Sequence, residues 1–264
     1  MRHHTAGRRA GVIAALSTAA VVGGLILIVL NTPGWPKVRK SFFDRHEFAA
    51  SLPAILHGFV LNVRLFMIAE VAVLALGLLV AVVRNLPGPA LFPFRALATV
   101  YTDVFRGVPT LLLIFLFGFG IPGLGLNRPW NKAIIWATVA LILNYGAYVA
   151  EVFRAGIRSI HPSQMAAARS LGLTQWQASR FVIIPQAVRR VIPPLLNDFV
   201  ALQKDTALVA VVGPIEALRE AQAATAKHFN FTPYVAASVL FLALTIPLAR
   251  FTDWLTQRQE SSRR

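Results

Sequence analysis

Residues 10–36 of this chain read AGVIAALSTAAVVGGLILIVLNTPGWP, a stretch without a single Asp, Glu, Lys or Arg. An uncharged apolar run of about 18 residues or more is long enough to cross a bilayer as a helix. Further uncharged runs occupy 107–127, 133–150 and 229–249. A soluble core could bury one such run, but this many would leave too little polar surface to keep the protein in solution. The sequence therefore predicts an integral membrane protein.

The composition supports this interpretation. Of the 264 residues, 56% are hydrophobic and 14% are charged, whereas a soluble domain has about 25% charged residues. The net charge of +15 comes from Lys and Arg that stand singly at the ends of apolar runs, which is typical of cytoplasmic loops rather than of a nucleic-acid-binding face. The chain has no cysteine, so it has neither a disulfide framework nor a thiolate metal site, and no histidine spacing indicates a metal site. The first apolar run is too long for a signal peptide and no cleavage motif follows it, which favours a retained anchor.

The pattern predicts an all-α protein with about six transmembrane helices. The expected spans are 11–30, 55–83, 108–121 (preceded by a short amphipathic stretch, 97–106), 132–153, 181–212 (interrupted by prolines) and 232–255. With the N-terminus inside, more basic residues fall in cytoplasmic segments than in outer ones, so the positive-inside rule favours that orientation. No Gly-x-x-x-x-Gly-Lys-Ser/Thr motif occurs, and the chain therefore has no P-loop of its own.

The segment 159–186 is predicted to lie in the cytoplasm as helix, glycine turn and helix. Pro162 suits the first position of a helix, and Gly172 suits a left-handed C-terminal cap. Thr174 and Gln177 form a capping box for the next helix. A helix of about nine residues is marginal in water unless something packs against it. Its three successive alanines, 166–168, either allow a partner to approach closely or lie against the protein's own spans.

Charged residues inside the predicted spans are the second candidate site. A charge at the bilayer centre costs about 2.5–3.5 kcal/mol, so such residues face partners or water. Asp198 and Asp205 are seven residues apart, nearly two helical turns, and share one face. They either line a polar cavity together with Lys204, or Lys204 and Asp205 neutralise each other or sit at an interface.

Other membrane charges have less specific patterns. Glu151 and Arg154 are three residues apart and can pair along a helix, which indicates a structural role. Arg106 is either an interface anchor or a cavity residue. Glu70 shares its span with Arg64, six residues away, which is an awkward spacing for an ion pair on one helix. The sequence alone assigns no role to Glu70.

Several motifs, in order and with matching spacing, carry a resemblance to a known family. They are FRGVP at 105–109, AYVAEVFRAGI at 147–157, SLGL at 170–173, IPQA at 184–187, PPLLN at 193–197, KDTAL at 204–208 and IPL at 246–248. Over about residues 55–257 the chain resembles the membrane subunits of polar amino-acid ABC importers, the histidine, glutamine and arginine permease type. The resemblance implies the ABC importer permease fold and location in the cytoplasmic membrane as a multi-pass protein.

The resemblance also implies roles for particular residues. The family's EAA signature maps onto the cytoplasmic segment, and implies that this helix inserts into a cleft of the ATPase. The coupling residues would be Ala166, Ala167, Ala168, Leu171 and Gly172. Ala166 stands where the signature has Glu, so any ion pair made by that Glu in relatives is missing. The substrate path would hold Asp198, Lys204, Asp205 and Arg106, while Glu151, Arg154 and Pro185 would be structural.

The implied organisation has three parts. Residues 1–50 form a cytoplasmic tail, the first span and an outer linker; residues 51–257 form the permease domain with a coupling loop at about 159–180; residues 258–264 form a cytoplasmic tail. The implied partners are two cytoplasmic ATPase subunits, a second permease subunit of the same or a related kind, an extracytoplasmic solute-binding protein and an amino-acid substrate. This chain would have no catalytic residue and no cofactor, since ATP and Mg²⁺ would be bound by the ATPase.

Two alternatives follow from the residues alone. A stand-alone ion-coupled secondary transporter would not need the alanine-faced cytoplasmic helix and often shows inverted repeats, which the sequence lacks. A membrane-embedded enzyme would need a catalytic cluster, such as paired His and carboxylates on facing helices, and no such cluster stands out.

Overall fold

The computed structural model describes residues 2–261, and every regular element within that range is helical. The α-helices are α1 (Arg2–Leu30), α2 (Trp35–Phe42), α3 (Arg45–Arg84), α4 (Phe92–Gly107), α5 (Thr110–Gly120), α6 (Ala133–Arg158), α7 (Pro162–Ser170), α8 (Gln175–Ala178), α9 (Ile184–Asp205), α10 (Ala217–His228) and α11 (Thr232–Ser261). Short 3-10 helices span Pro89–Leu91, Pro122–Leu124 and Thr206–Val212, and a π-helix spans Ser179–Ile183. The all-α prediction is confirmed.

Length and hydropathy separate the helices that cross a membrane from those that do not. Within residues 2–261 four helical segments are long and apolar enough to cross, or five if the bent pair α4–α5 counts as one span. The predicted fifth span is helical as α9 but is too polar for that criterion, because it carries two arginines, two aspartates and a lysine.

The core lies between α3 and α6. Its fully buried side chains include Ala69, Val73 and Leu141. The two helices approach closely at Gly77, where an added Cβ would lie 2.5 Å from a methyl carbon of Val149. This closeness holds α3 and α6 as one rigid pair against which α5 and α9 pack.

The predicted third span, 108–121, is wrong as a single crossing. The helix α5 has eleven residues, about 16 Å, against the roughly 30 Å of a hydrocarbon core. It meets α4 at a bend of 105°, and the two helices together have the length and hydropathy of one broken span or of a re-entrant loop. The bend falls at Val108–Pro109 because a proline restricts the residue before it to extended backbone, and Val108 has φ −98° and ψ 131°.

A buried asparagine on α6 closes this break. Asn144, 1% exposed, donates from Nδ2 to the Phe105 carbonyl oxygen at 2.6 Å and accepts from Thr110 Oγ1 at 3.0 Å. The Tyr148 hydroxyl donates to the Arg106 carbonyl oxygen at 3.3 Å. Irregular backbone at membrane depth is tolerated only where protein groups satisfy it, and α6 supplies those groups here.

The expected interruption of the fifth span is also different from the structure. Pro185 lies in the first turn of α9, just after the π-helix, whereas Pro193 and Pro194 lie inside α9 without breaking it. Each internal proline lacks an N–H, so it leaves one carbonyl of the preceding turn without its usual helical donor.

The predicted outer linker contains the helix α2, whose C-terminal end contacts the turn between α10 and α11. The Phe231 N–H donates to the Ser41 carbonyl oxygen at 2.7 Å, and Asn230 Nδ2 donates to the Lys40 carbonyl oxygen at 3.1 Å. The rings of Phe42 and Phe231 stack with centroids 5.0 Å apart. The end of α2 is therefore held by the turn between α10 and α11, while none of residues 13–30 of α1 is buried.

Candidate functional site

A cluster of carboxylates and a tyrosine lies inside the helix bundle. The Tyr145 hydroxyl on α6 donates to Asp205 Oδ2 on α9 at 2.8 Å. Asp198, two turns earlier on α9, lies close enough for its charge to act on Tyr145 as well. The two aspartates therefore share the face that the seven-residue spacing predicts, and this face is turned towards α6.

Asp198 is the least satisfied member of the cluster. Its Oδ2 atom is buried and has no hydrogen-bond partner among the residues the structure describes. A buried carboxylate oxygen without a donor is costly. Asp198 is therefore the position in this cluster that a donor from outside the chain would stabilise most.

Sequence reasoning missed two members of the cluster. Glu70 on α3 lies within electrostatic range of Asp198, and Tyr145 links the cluster to α6. Glu70 is the one acidic residue in the apolar run 65–83, and that isolation was the signal that could have identified it. Tyr145 had no comparable signal, because a tyrosine in a span is more often a packing residue.

A second, basic cluster surrounds Glu151. Arg84 Nη1 lies 2.8 Å from Glu151 Oε2, and Arg154 binds the same carboxylate with its Nε at 3.1 Å. Arg106 lies 4.0 Å from Glu151 and packs over the Tyr148 ring, its guanidinium carbon 5.5 Å from the centroid. The predicted Glu151–Arg154 pair is confirmed, and one carboxylate faces three guanidinium groups, so the cluster has net positive charge.

The acidic and basic clusters are neighbours on α6. The rings of Tyr145 and Tyr148 lie 6.5 Å apart. Tyr145 contacts the carboxylate cluster, and Tyr148 carries the Arg106 guanidinium. The side chain of Arg106 is 40% exposed, and the two tyrosines that contact the two clusters lie about one helical turn apart on α6.

Lys204 lies apart from these clusters. It is exposed and lines a pocket of about 420 Å³ with residues of α10 and α11, among them Leu218, Tyr234 and Thr245. No ion pair joins it to Asp205 among the described residues, so the structure shows no direct contact between these two charges. Arg190, Asn197 and Lys204 recur every seven residues and are all exposed, which gives α9 a polar stripe. The stripe begins beside the segment 159–186, where Arg190 Nη1 donates to the Ser159 carbonyl oxygen.

A buried carboxylate stabilises the outer end of the bundle. Glu216 is fully buried and caps α10, accepting from Arg219 N–H at 2.7 Å and Leu218 N–H at 3.0 Å. Asn62 Nδ2 on α3 donates to it at 2.9 Å. Burial raises the pKa of the Glu216 carboxyl, and these hydrogen bonds partly oppose that rise. With its oxygens occupied by the cap, Glu216 has a structural role.

The segment 159–186, which the sequence predicts to be cytoplasmic, has the local structure that its sequence predicts. Pro162 begins α7, Gly172 has φ +85°, and both hydrogen bonds of the Thr174–Gln177 capping box are present. Of the three alanines, Ala166 and Ala167 are exposed, whereas Ala168 is buried against the chain itself. The alanine surface open to a partner is therefore narrower than expected.

Large apolar side chains are exposed beside α7. Leu171 is 84% exposed, Trp176 69% and Phe181 65%. All three follow the alanines in sequence, on the glycine turn, on α8 and in the π-helix. Large exposed apolar side chains this close in sequence are typical of an interaction surface.

Comparisons with known proteins give the family and the fold of this chain. Residues 74–261 match the family described as binding-protein-dependent transport system inner membrane component. The chain is 37% identical to the probable glutamine ABC transporter permease protein GlnM of Bacillus subtilis over 206 residues, which cover 78% of this chain and 93% of the relative. It is 30% identical to the glutamine transport system permease protein GlnP of Escherichia coli K12 over 219 residues, 83% and 98% of the two chains.

A solved structure gives the same result. A crystal structure of an amino acid ABC transporter with histidines contains a chain with 31% identity and a TM-score of 0.73. The match covers 81% of this chain and 98% of that one. The inward-facing MetNI methionine ABC transporter has a TM-score of 0.61 at 17% identity, which extends the likeness of fold alone.

Proposed function

The chain belongs to the family of binding-protein-dependent transport system inner membrane components, and from that premise we propose that it carries a polar amino acid through the cytoplasmic membrane as the permease subunit of an ATP-driven importer. The two named relatives are described as a probable glutamine ABC transporter permease and a glutamine transport system permease. This membership speaks against the stand-alone secondary transporter. ATP hydrolysis belongs to a separate subunit, and substrate arrives from an extracytoplasmic binding protein.

The observation that carries the proposal is the pairing of opposite charges beside Tyr145 and Tyr148. An amino acid has an ammonium and a carboxylate a few ångströms apart and needs both signs close together. The carboxylates of Asp198 and Asp205 suit the ammonium, and the exposed edge of Arg106 suits the carboxylate. The unpartnered oxygen of Asp198 is the atom that gains most from an incoming N–H donor.

The excess of acids near Tyr145 favours a cationic amino acid over an anionic one. Glu70, Asp198 and Asp205 act on the same small region, and no Lys or Arg forms an ion pair with any of them within residues 2–261. A second positive group on the substrate would offset this charge, whereas an acidic side chain would add to the repulsion.

The polar stripe of α9 supports a paired permease. Arg190, Asn197 and Lys204 are exposed in the single chain, and charged side chains at membrane depth face the bundle interior or water rather than lipid. A second permease subunit placed against this stripe would enclose Asn197 and Lys204 in a shared aqueous path.

The cytoplasmic loop would couple this path to ATP hydrolysis. Ala166 and Ala167 allow close backbone approach, and Leu171 and Gly172 lie at the turn beside the exposed Trp176. In the absence of the signature glutamate at position 166, the contact with the ATPase would rest on shape and apolar burial rather than on an ion pair.

Uptake by the reconstituted importer tests the proposal. Asp198→Asn keeps the volume and removes the charge. We expect the uptake of arginine or lysine to fall more than the uptake of glutamine, relative to the unsubstituted importer, with basal ATP hydrolysis unchanged. Loss of one charge-assisted hydrogen bond of about 1.5–3 kcal/mol corresponds to roughly 10- to 150-fold weaker binding. Asp253→Asn, which removes an exposed carboxylate on α11, is the matched control.

Each result has a distinct meaning. Equal loss for cationic and neutral substrates would support the path and reject the cationic preference. Unchanged uptake rate and selectivity would place Asp198 outside the path. Failure of the wild-type assembly to transport any amino acid, with an ATPase and a binding protein present, would reject the substrate class.

A further inference from the structure

The outer helix α2 lies at the boundary between membrane and water. It begins at Trp35, after a turn of four residues that follows α1 at Leu30, and four residues reach at most about 14 Å. Residues 13–30 of α1 are apolar and none is buried within the chain, so they face lipid. The turn therefore keeps α2 within one headgroup layer of the hydrocarbon.

The sequence of α2 is amphipathic. Trp35, Val38 and Phe42 recur at intervals of three and four residues and lie on one side, with Arg39 at its edge, while Lys37 and Lys40 lie on the other. A helix with an aromatic and aliphatic face and a lysine-rich face lies in the plane of the membrane interface. The residues that follow, from Phe43 onward, turn into α3 and return to the bilayer.

A basic pocket lies at the junction of α2 and α3. It encloses about 420 Å³, and its lining residues are Trp35, Pro36, Arg39, Lys40, Phe43, Asp44 and Arg45. The cations Arg39, Lys40 and Arg45 are exposed, and none of them forms an ion pair with a carboxylate among the described residues. The pocket thus combines three unpaired positive groups with two aromatic rings.

The single carboxylate in the pocket does not neutralise these cations. Asp44 is the N-cap of α3, and its Oδ1 atom accepts from the His46 N–H at 2.8 Å and the Glu47 N–H at 3.2 Å. The Asp44 N–H in turn donates to Thr232 Oγ1 at 3.1 Å. These bonds, with those from the α10–α11 turn to α2, fix the backbone around the pocket before any ligand arrives.

We propose that this pocket binds the phosphate headgroup of an anionic phospholipid of the membrane. Arg39, Lys40 and Arg45 would hold the phosphate oxygens, Trp35 and Phe43 would pack against the glycerol and upper acyl chain, and Val38 would face the hydrocarbon. The site gives a physical reason for basic residues in an outer segment, where the positive-inside rule does not favour them. Membrane depth, aromatic rings and an apolar stripe on the same helix favour a lipid over an acidic protein surface.

Native mass spectrometry of the full chain, purified in detergent with equal amounts of phosphatidylglycerol and phosphatidylcholine, tests the site. The test variant is Arg39→Gln/Lys40→Gln/Arg45→Gln. The control variant Arg128→Gln/Lys132→Gln/Lys227→Gln removes the same charge from other exposed outer positions. Since a basic residue near an anionic surface contributes about fivefold in affinity, we expect the preference for phosphatidylglycerol to fall about tenfold or more in the test variant alone.

Two further measurements separate the sources of a phosphate. The fluorescence of Trp35 is the component that is lost in Trp35→Phe, and phosphatidylglycerol with brominated acyl chains should quench it. This signal is measured without the triple variant and so does not depend on the folding of that variant. Soluble glycerol phosphate should not displace the lipid. Displacement by glycerol phosphate would reject a lipid site, as would equal retention of both lipids or equal losses in the two triple variants. Unchanged lipid retention with weaker docking of the binding protein in the test variant would assign the patch to that protein instead.

Discussion

The chain interrupts a helix in two very different surroundings, at Gly172 in the cytoplasmic loop and between Gly107 and Thr110 inside the membrane. At Gly172 the chain closes the break with its own backbone, since the Leu173 N–H donates to the Ala168 carbonyl oxygen at 3.3 Å. At the membrane break, side chains of another helix satisfy the backbone, above all Asn144.

The difference follows from what surrounds each break. Water can satisfy any group that the loop leaves free, so a local glycine turn is sufficient. Lipid offers no donor or acceptor, so each freed group at membrane depth needs a protein partner. A break in water is therefore encoded locally, and a break in the membrane is encoded by a residue far away in the sequence.

The substitution Asn144→Leu should have the largest effect on this comparison. It leaves the Phe105 carbonyl and the Thr110 hydroxyl without partners, a loss of about 1–3 kcal/mol in the free energy of unfolding. Unfolding of the purified chain in mixed detergent micelles measures it. Asn127→Leu, in an exposed outer loop, is the control; if both variants unfold at the same free energy, the break does not depend on Asn144.

The substitution Gly172→Val should have a smaller effect, confined to the loop. An added Cβ meets no atom within 4 Å, so the cost comes only from the left-handed backbone, about 1–2 kcal/mol or more for a β-branched residue. We expect insertion and bundle stability to be unchanged and stimulated ATP hydrolysis to fall.

Asparagine provides the matched variant at the same position. It tolerates the left-handed conformation, so Gly172→Asn should retain most of the coupling. Equal coupling in the Val and Asn variants would mean that the turn conformation is not what transmits motion to the ATPase.

The smallest effect is expected for Tyr148→Phe. The hydroxyl donates to the Arg106 carbonyl at a long 3.3 Å, and hydrogen bonds between membrane helices average about 0.6 kcal/mol. The ring that carries the Arg106 guanidinium remains, so uptake should change little. A loss as large as that of Asn144→Leu would show that the two side chains share the task of closing the break.

Prediction from sequence succeeded where the determinants are local. Pro162, Gly172 and the Thr174–Gln177 box each act within a few residues, and the structure confirms all of them. The membrane break was missed because its partner, Asn144, is 39 residues from Phe105. Composition can show that residues 107–127 are apolar, but it cannot show that the helix bends before Thr110.

The candidate site also has some features that local spacing predicts and others that depend on helix packing. The shared face of Asp198 and Asp205 follows from helical periodicity, and the Glu151–Arg154 pair follows from a spacing of three. That Glu70 joins the acids, and that Lys204 turns towards α10 and α11, depends on how four helices pack. Those relations are tertiary and leave no pattern within a single span.

The freedom of α1 from the rest of the bundle has a consequence for biosynthesis. Translation delivers α1 before α2 to α11, and none of its residues 13–30 is buried against another part of the described chain. It can move into lipid as soon as it is made. In contrast, 56% of the apolar window of α6 is buried by neighbours, among them α9, which the ribosome has yet to make. Of the described helices, α1 can therefore insert before the others without a contact inside the chain, and the helices that bury one another assemble later.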